Sequence, residues 1–517
     1  MPRSSTPTFT TLMPLIVDSA GDQELRSRFN AGMRLLNACL GEGMIRVNLV
    51  KNSDAYQAAK RMPKGTKAER KARSQSFGAA RKAYRFTDYD LQEFACQTAD
   101  ASGWMTEKLD KQCIQKLATR AFMACDRVLL GKARGVRFKV PSRFRSMEGK
   151  SNKQGIRFKD GQFVWGKLKL KPLIDKSDPI ILHGLSSPIK YVRILRKELN
   201  GKMRYFAQLI NEGDPFQKPK NVVADGLVGL DLNVSVVGVV GDKQAELMPL
   251  ADQMPTYQAE IARLQRQMER SRRIHNPDNF EPDFQARKGR KTVKKKGRPK
   301  QGNKGLKRGE QRQWIKTKRY LRAARRKHEL ERRKAAYAQS QNRKLANDVL
   351  RIGNVIKTER VSVKGWQKRY GKAIAAKSPG FFMSELARKA ERAGGQVIRF
   401  STQTTALSQT HLNGERFKKS LCERVHRDVS GFEMHRDLFS AFLSRHVVED
   451  ELLLQSAQFE FDNGLEAVLM EAWQRFQSQN RKQVGASESR LAQPPLERFS
   501  IKPKPVGQIG MIARKAS

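Results

Sequence analysis

Acid is scarce in this chain. Against 102 Lys and Arg there are only 51 Asp and Glu among 517 residues, a formal charge of +51. Solubility alone does not ask for such an excess. Neutralising phosphates releases condensed counterions, so the surface fits a large polyanion, bound tightly and with steep salt dependence. Cysteine is scarce as well: Cys39, Cys96, Cys113, Cys125 and Cys422 are scattered, with no C-x-x-C pair. That excludes a disulfide framework and a zinc site of familiar spacing, and it fits a reducing compartment. Long apolar runs are missing too. Nothing approaches the roughly 20 residues of a membrane span, and Met1-Pro-Arg-Ser-Ser-Thr6 lacks a signal-peptide core, so a cytoplasmic protein with no membrane partner is expected.

What is present suffices to fold. A hydrophobic content of 38% supports three or four compact units of roughly 150 residues each. Phe9–Val17 reads as a strand, and Phe29, Met33, Leu36 and Leu40 recur at helical spacing between Asp22 and Val50. A second long helix is predicted from Asp110 to Leu130. From Arg137 to Ile210 the pattern changes to short alternating runs, the clearest being a hairpin of Tyr191–Glu198 and Met203–Ile210 about Asn200-Gly201, residues that tolerate positive φ. These strands predict a small β-barrel or sheet, with the helical stretch 21–130 inserted between residues 1–20 and 131–222.

A third composition begins near residue 223. Leu227–Val240 and Ala245–Leu250 predict adjacent strands, followed by a helix from Tyr257. Residues 287–308 hold 12 Lys or Arg, five Gly or Pro and no acid, a stretch with too little apolar surface to order alone. This basic insertion, 280–309, includes Lys294, Lys295 and Lys296 and is expected to order on nucleic acid, the alternative being a solvated loop. A helix from about Glu310 to Leu350 carries a basic face of Arg322, Arg325, Arg326, Lys327, Arg332, Arg333 and Lys334, which is expected to line a channel for nucleic acid. Ser378 and Pro379 read as N-cap and first residue of a helix that Gly394-Gly395 ends, and Gln396–Phe400 reads as a strand. Residues 449–471 have seven acids and no Lys or Arg. The segment 448–480 is therefore expected to form acidic helix turned away from phosphates, and 481–517 a disordered tail.

Three acids interrupt or border apolar elements: Asp231 in Val228–Asn233, Glu359 in Val355–Val363, and Asp437 in His435–Phe442. A buried carboxylate needs a cation. Strand with Asp, meander, helix, strand with Glu, helix, strand, then a helix opening with Asp is the order of an RNase H-like core, in which two divalent ions activate water and stabilise charge on the leaving oxygen. Magnesium prefers such hard oxygen ligands. Each acid also has a structural reading: Asp231 as a strand end, Glu359 as a partner in Lys357-Thr-Glu-Arg360, Asp437 as a helix cap.

Gly229-Leu-Asp-Leu-Asn233, Glu359-Arg-Val-Ser-Val-Lys-Gly365 and Arg436-Asp437 ahead of a small-apolar helix together resemble the TnpB proteins and type V CRISPR effectors. Ala121-Phe122 through Gly135-Val-Arg-Phe-Lys139 is similar to that family's helix-to-strand junction. The resemblance implies an α+β multidomain protein: a wedge-like β-barrel (1–20 and 131–222), an inserted helical recognition domain (21–130) and a RuvC-like nuclease domain (223–447). It also implies a bacterial RNA-guided DNA endonuclease, with Asp231, Glu359 and Asp437 as catalytic ligands of two Mg²⁺ ions and with guide RNA and double-stranded target DNA as partners. A guided DNA binder without cleavage, serving as repressor or transposition-targeting subunit, is the alternative within the family; a constitutive RNA-binding protein is the alternative outside it. The family's four-cysteine zinc ribbon is degenerate here. In the segment 402–434 the expected cysteines are replaced by His411, Asp428 and Ser430 or are missing, and Cys422 alone cannot replace them; His411, His426 and Asp428 could in principle hold zinc, but lone histidines in basic loops are usually not ligands, and zinc is not expected. Trp104, Phe122 and Trp366 are candidates for base stacking but are expected to pack in cores.

Overall fold

The computed structural model describes residues 6–253, 257–280, 313–418 and 423–491. It divides into two compact units, one of residues 1–219 and 258–330, the other of 220–257 and 331–517.

In the first unit, strand β1 (Thr8–Ile16) leads into helices α1 (Ser19–Asn52), α2 (Asp54–Arg61), α3 (Lys67–Ala83), α4 (Asp88–Ser102), α5 (Trp104–Lys108) and α6 (Lys111–Leu129). Side-chain caps start most of them: Asp18 on α1, Asp110 on α6, and reciprocal capping boxes at Thr66 and Thr87 on α3 and α4. The strands β2 (Ser146–Glu148), β3 (Ile156–Lys159), β4 (Gln162–Trp165) and β5 (Leu168–Pro172) follow, then α7 (Pro179–Ser186), β6 (Ile189–Leu199) and β7 (Lys202–Glu212). The β6–β7 turn is made by Asn200 and Gly201 at φ +50° and +75°, the left-handed pair that a two-residue hairpin needs.

The seven strands form one sheet in the order β2-β6-β7-β1-β5-β4-β3. The expected barrel is thereby corrected to an open sheet: β2 and β3 are edges with no ladder joining them among the described residues. Strand β1 joins the two halves of the sheet, its Thr8–Pro14 stretch pairing with β7 and its Leu15–Ile16 stretch with β5. Short edges of three and four residues offer too few backbone groups to close it. Phe29, Leu36 and Leu40 of α1 bury with Leu91 of α4 and Leu117 and Ala121 of α6 in one core. Trp104 and Phe122 pack against that core, as expected. Helix α8 (Gln258–His275) and the part of α9 (Lys318–Leu350) up to Leu330 also belong to this unit. The helix expected from Glu310 starts at Lys318; of the basic insertion 280–309 only Phe280 is described, and the rest, with Lys294, Lys295 and Lys296, lies outside the described residues.

The second unit is built on a five-stranded sheet of β8 (Leu227–Leu232), β9 (Val236–Val240), β10 (Ala245–Pro249), β11 (Val355–Glu359) and β12 (Gln396–Phe400), ordered β10-β9-β8-β11-β12. The first three strands meander antiparallel, while β11 runs parallel to both β8 and β12. Helices α10 (Val363–Lys377), α11 (Pro379–Arg392) and α12 (Thr402–Thr405) flank β12 in sequence. A small hairpin of β13 (Val425–Arg427) and β14 (Glu433–His435) then feeds α13 (Arg436–Arg445), and β15 (Val447–Val448), β16 (Glu451–Leu452), α14 (Leu454–Glu460) and α15 (Glu466–Leu491) complete the unit.

Alternation along β8 sends Val228, Leu230 and Leu232 into a core with Val349 of α9 and Phe382 and Leu386 of α11, with Trp366 packed against it. A second core holds Val240 and Leu247 of the sheet with Leu438 and Phe442 of α13 and Leu469 of α15. The acidic segment thus uses its apolar residues Ala457, Phe461 and Leu465 for burial, and Glu460 pairs with Arg445 and His446. Two expectations need correction. Ser378 makes no side-chain cap; at φ +53° its N–H instead closes the end of α10 on the Ile374 carbonyl, and Pro379 starts α11 directly behind it. The tail expected from 481 begins as helix, because α15 continues to Leu491. Among the described residues no helix is long and apolar enough to cross a membrane.

Candidate active site

Asp231 and Glu359 lie on neighbouring parallel strands. Leu230 is in register with Thr358, so the two acids follow side by side at the carboxyl ends of β8 and β11. Asp437 is the second residue of α13, which crosses this end of the sheet. The crossing is close because the sheet offers glycine there. A Cβ at Gly229 would overlap the Ala441 carbonyl oxygen, and one at Gly238, the β9 partner of Asp231, would overlap the carbonyl oxygen of Asp437 itself. Glycine at those two positions lets the helix backbone touch the sheet, and this brings the third acid to the first two.

The electrostatics follow from that convergence. Burial pushes the Asp231 carboxyl well above the usual range; the charges of Asp437 and Glu359 push it further, and Arg436 and Arg424 oppose the rise. Burial lifts Glu359 to about 7. Two carboxyls held toward the protonated form beside a third are a cluster short of positive charge. The cations within reach are set back: Arg436 Nε is 3.7 Å from Asp437 Oδ1, and Arg424 Nη1 is 3.8 Å from Oδ2. Carboxylates close enough for Asp437 and Glu359 to raise Asp231, with both arginines set back on Asp437, suit a divalent ion such as magnesium.

Asp437 is oriented by neighbours. The Asn233 amide donates to its Oδ2 at 2.8 Å, while its backbone N–H donates to His435 Nδ1 at 3.2 Å. Burial lowers the His435 pKa, keeping the imidazole neutral and able to accept. Its ring rests against Trp473 and Phe476 of α15. Asn233, His435, Arg424 and Arg436 were not among the residues selected from sequence. Asn233 had a readable signal, since it lies two residues beyond Asp231 and so on the same side of an extended chain; Arg424 had none, being brought in by the β13–β14 hairpin.

No protein-family model matches the chain, and no curated protein matches it. Solved structures similar to it include two complexes. One, "Cryo-EM structure of the Cas12f1-sgRNA-target DNA complex", shares 10% identity over 84% of this chain and 98% of that one, with a TM-score of 0.38. The other, "Cryo-EM structure of CRISPR-Cas12f Ternary Complex", has the same identity and coverage at a TM-score of 0.21.

Of the basic residues selected for nucleic acid, Arg322 is exposed on α9, Arg325 lies 3.6 Å from Glu198, and Arg326 pairs with Glu260 at 2.9 Å. Lys327, Arg332 and Arg333 are half-buried on the same helix. His411, His426 and Asp428 also converge, with ligating atoms all within 4.8 Å of one another. Cys422 falls outside the described residues.

Proposed function

We propose that this protein is an RNA-guided DNA endonuclease that hydrolyses phosphodiester bonds at Asp231, Glu359 and Asp437 with magnesium. The observation that carries the chemistry is the convergence of the three acids, with Asp231 and Glu359 both pushed upward in pKa. The strand order β10-β9-β8-β11-β12, with acids at the ends of the two central strands and on the helix that crosses them, supports an RNase H-like reading of this unit. The guided part of the proposal rests on the sequence resemblance and on the charge of +51, which suits a guide RNA and a double-stranded DNA target.

Bound ions would supply the charge that activates water and stabilises the leaving oxygen. The chain's own residues supply the rest. Asp231 and Glu359 present their carboxylates from rigid neighbouring strands, and Asp437 adds a third from the first turn of a helix whose N-terminal N–H groups favour negative charge. Asn233 holds the Asp437 carboxylate in one orientation. Arg424, with a side chain 47% exposed, can turn from Asp437 toward an incoming phosphate.

The test is to purify the protein with its RNA, sequence that RNA, and incubate the complex with matched DNA and magnesium. A defined scaffold joined to a variable segment, with cleavage that is lost in Asp231→Ala, is the expected result. Guided binding without cleavage would reduce the protein to a targeting subunit, and a random RNA mixture would remove guiding altogether.

A further inference from the structure

Two turns of the same build face each other ahead of α13. In His411–Gly414 the glycine N–H donates to the His411 carbonyl at 3.0 Å, and in Asp428–Gly431 the glycine N–H donates to the Asp428 carbonyl at 3.1 Å. Both glycines take positive φ, +88° and +96°, which closes each turn. The turns are tied to each other reciprocally. The Leu412 N–H donates to Asp428 Oδ2 at 3.1 Å, and the Val429 N–H donates to His411 Nδ1 at 3.2 Å.

The Asp428 side chain is fully buried, and its oxygens are in use. Oδ2 accepts from the Leu412 N–H and from His426 Nε2, each at 3.1 Å, and Oδ1 accepts from the Ser430 N–H at 3.1 Å and the Ser430 hydroxyl at 2.9 Å. Four donors match the roughly four lone-pair sites of a carboxylate. Burial alone would raise this carboxyl, yet the hydrogen bonds from Ser430, His426 and Leu412 hold it below the usual range. The His426 ring is clamped by Phe439, 4.0 Å away between centroids and stacked.

A zinc ion fits this donor set poorly. It needs ligand distances of about 2.0–2.2 Å, so His426 Nε2 would have to give up the proton it shares with Asp428, and His411 Nδ1 its backbone donor. His411 Nδ1 does lie 3.3 Å from Asp428 Oδ2, but neither atom is idle.

We propose that Asp428 is the hub of a metal-free cross-tie, its carboxylate joining the two turns where the resembling family uses an ion, and that this tie positions Arg424 and Asp437. The second turn is the loop of the β13–β14 hairpin. Arg424 precedes β13, Asp437 follows β14 by two residues, and the Arg436 N–H donates to the Arg424 carbonyl at 2.8 Å across the hairpin's base. Locking the loop therefore locks both groups. His411, His426 and Asp428 are positioning residues on this account, and that second half rests on the nuclease reading.

The experiment uses the full-length protein with its RNA, produced in zinc-supplemented medium. Elemental analysis is expected to find far less than one zinc per chain, and a zinc-selective chelator at fixed magnesium is expected to leave the melting temperature unchanged. Asp428→Ala should melt lower and Asp428→Asn, which keeps a carbonyl acceptor, should fall between. Stoichiometric zinc that disappears in Asp428→Ala, or a chelator effect as large as that variant's, overturns the metal-free tie. So does wild-type melting of Asp428→Ala. If the alanine variant does not fold, the zinc content of the wild type and the melting of Asp428→Asn still decide. In single-turnover cleavage, Asp428→Ala should lose ~10-fold or more in rate with DNA affinity unchanged and partial recovery in Asp428→Asn. Cleavage by Asp428→Ala at the wild-type rate overturns positioning, whereas a wild type that never cuts sinks the nuclease reading and leaves the zinc and melting results standing.

Discussion

Replacing Glu359 by Gln is expected to make the magnesium-free protein more stable while abolishing cleavage. Burial lifts this carboxyl from 4.5 to about 7. At roughly 1.4 kcal/mol per pKa unit, the charged form then costs the folded state up to about 3 kcal/mol. The unfolded chain titrates near the lower value and the folded chain near the higher. The cost is therefore absent below the lower value, grows between the two, and is complete above about pH 7. Glutamine has the same shape and no charge, so the variant escapes the cost. For a unit of this size each kcal/mol moves the midpoint by roughly 2–4 °C, giving about 6–12 °C at most. The assay is thermal unfolding with chelated divalents at alkaline pH and again near the unfolded-state pKa, followed by repetition with magnesium. The variant should melt higher only at alkaline pH, and magnesium should raise the wild type more than the variant. A variant that melts lower than wild type at alkaline pH, or one whose offset is the same at both pH values, would refute the idea that Glu359 is held charged against its surroundings for the sake of an ion.

Asn233→Ala should lower the cleavage rate by about 30-fold with DNA affinity unchanged, because a hydrogen bond to a charged group is worth about 2 kcal/mol; single-turnover kinetics beside a binding assay checks this. Gly229→Ala places a methyl group where the Ala441 carbonyl sits and should destabilise the second unit by about 1–3 kcal/mol in urea denaturation, with activity falling as α13 lifts away. Arg445 is buried and joins Asp242, Glu460 and the Leu227 carbonyl, so Arg445→Met should cost about 1–3 kcal/mol in the same measurement by leaving the Leu227 carbonyl without that donor and Glu460 with His446 alone. Affinity of the guide-free protein for duplex DNA should fall by about 10³-fold or more between 50 and 200 mM salt, as expected for six to ten phosphate contacts, in a fluorescence anisotropy titration.

Much of this protein was written locally. The Asn200-Gly201 hairpin, the helix that follows Asp110, the alternation of β8 and the apolar stripe of α11 each depend on residues a few positions apart, and side-chain period and turn chemistry act over that range. Other expectations failed where a neighbour intervened. Ser378 carries a good capping side chain, but the end of α10 arrives first and holds its backbone in the left-handed region. Residues beyond 480 look like a polar tail, yet α15 is carried through them to Leu491 by a helix already anchored at Leu469 and Ala472. The barrel failed because closing a sheet depends on edge length and bend, which composition does not state.

The sequence by itself determined the large positive charge, the type of the elements with clear periodicity and the placing of three acids in or beside apolar runs, since charge, periodicity and an acid set in an apolar run are all properties of short stretches. Only the tertiary structure decided that Asn233, His435 and Arg424 would surround Asp437, that Gly229 and Gly238 would admit α13, and that His411, His426 and Asp428 would gather in one buried knot. Those are contacts between segments far apart along the chain, and they are selected by which packed arrangement fills the space between sheet and helix, a quantity no local window contains.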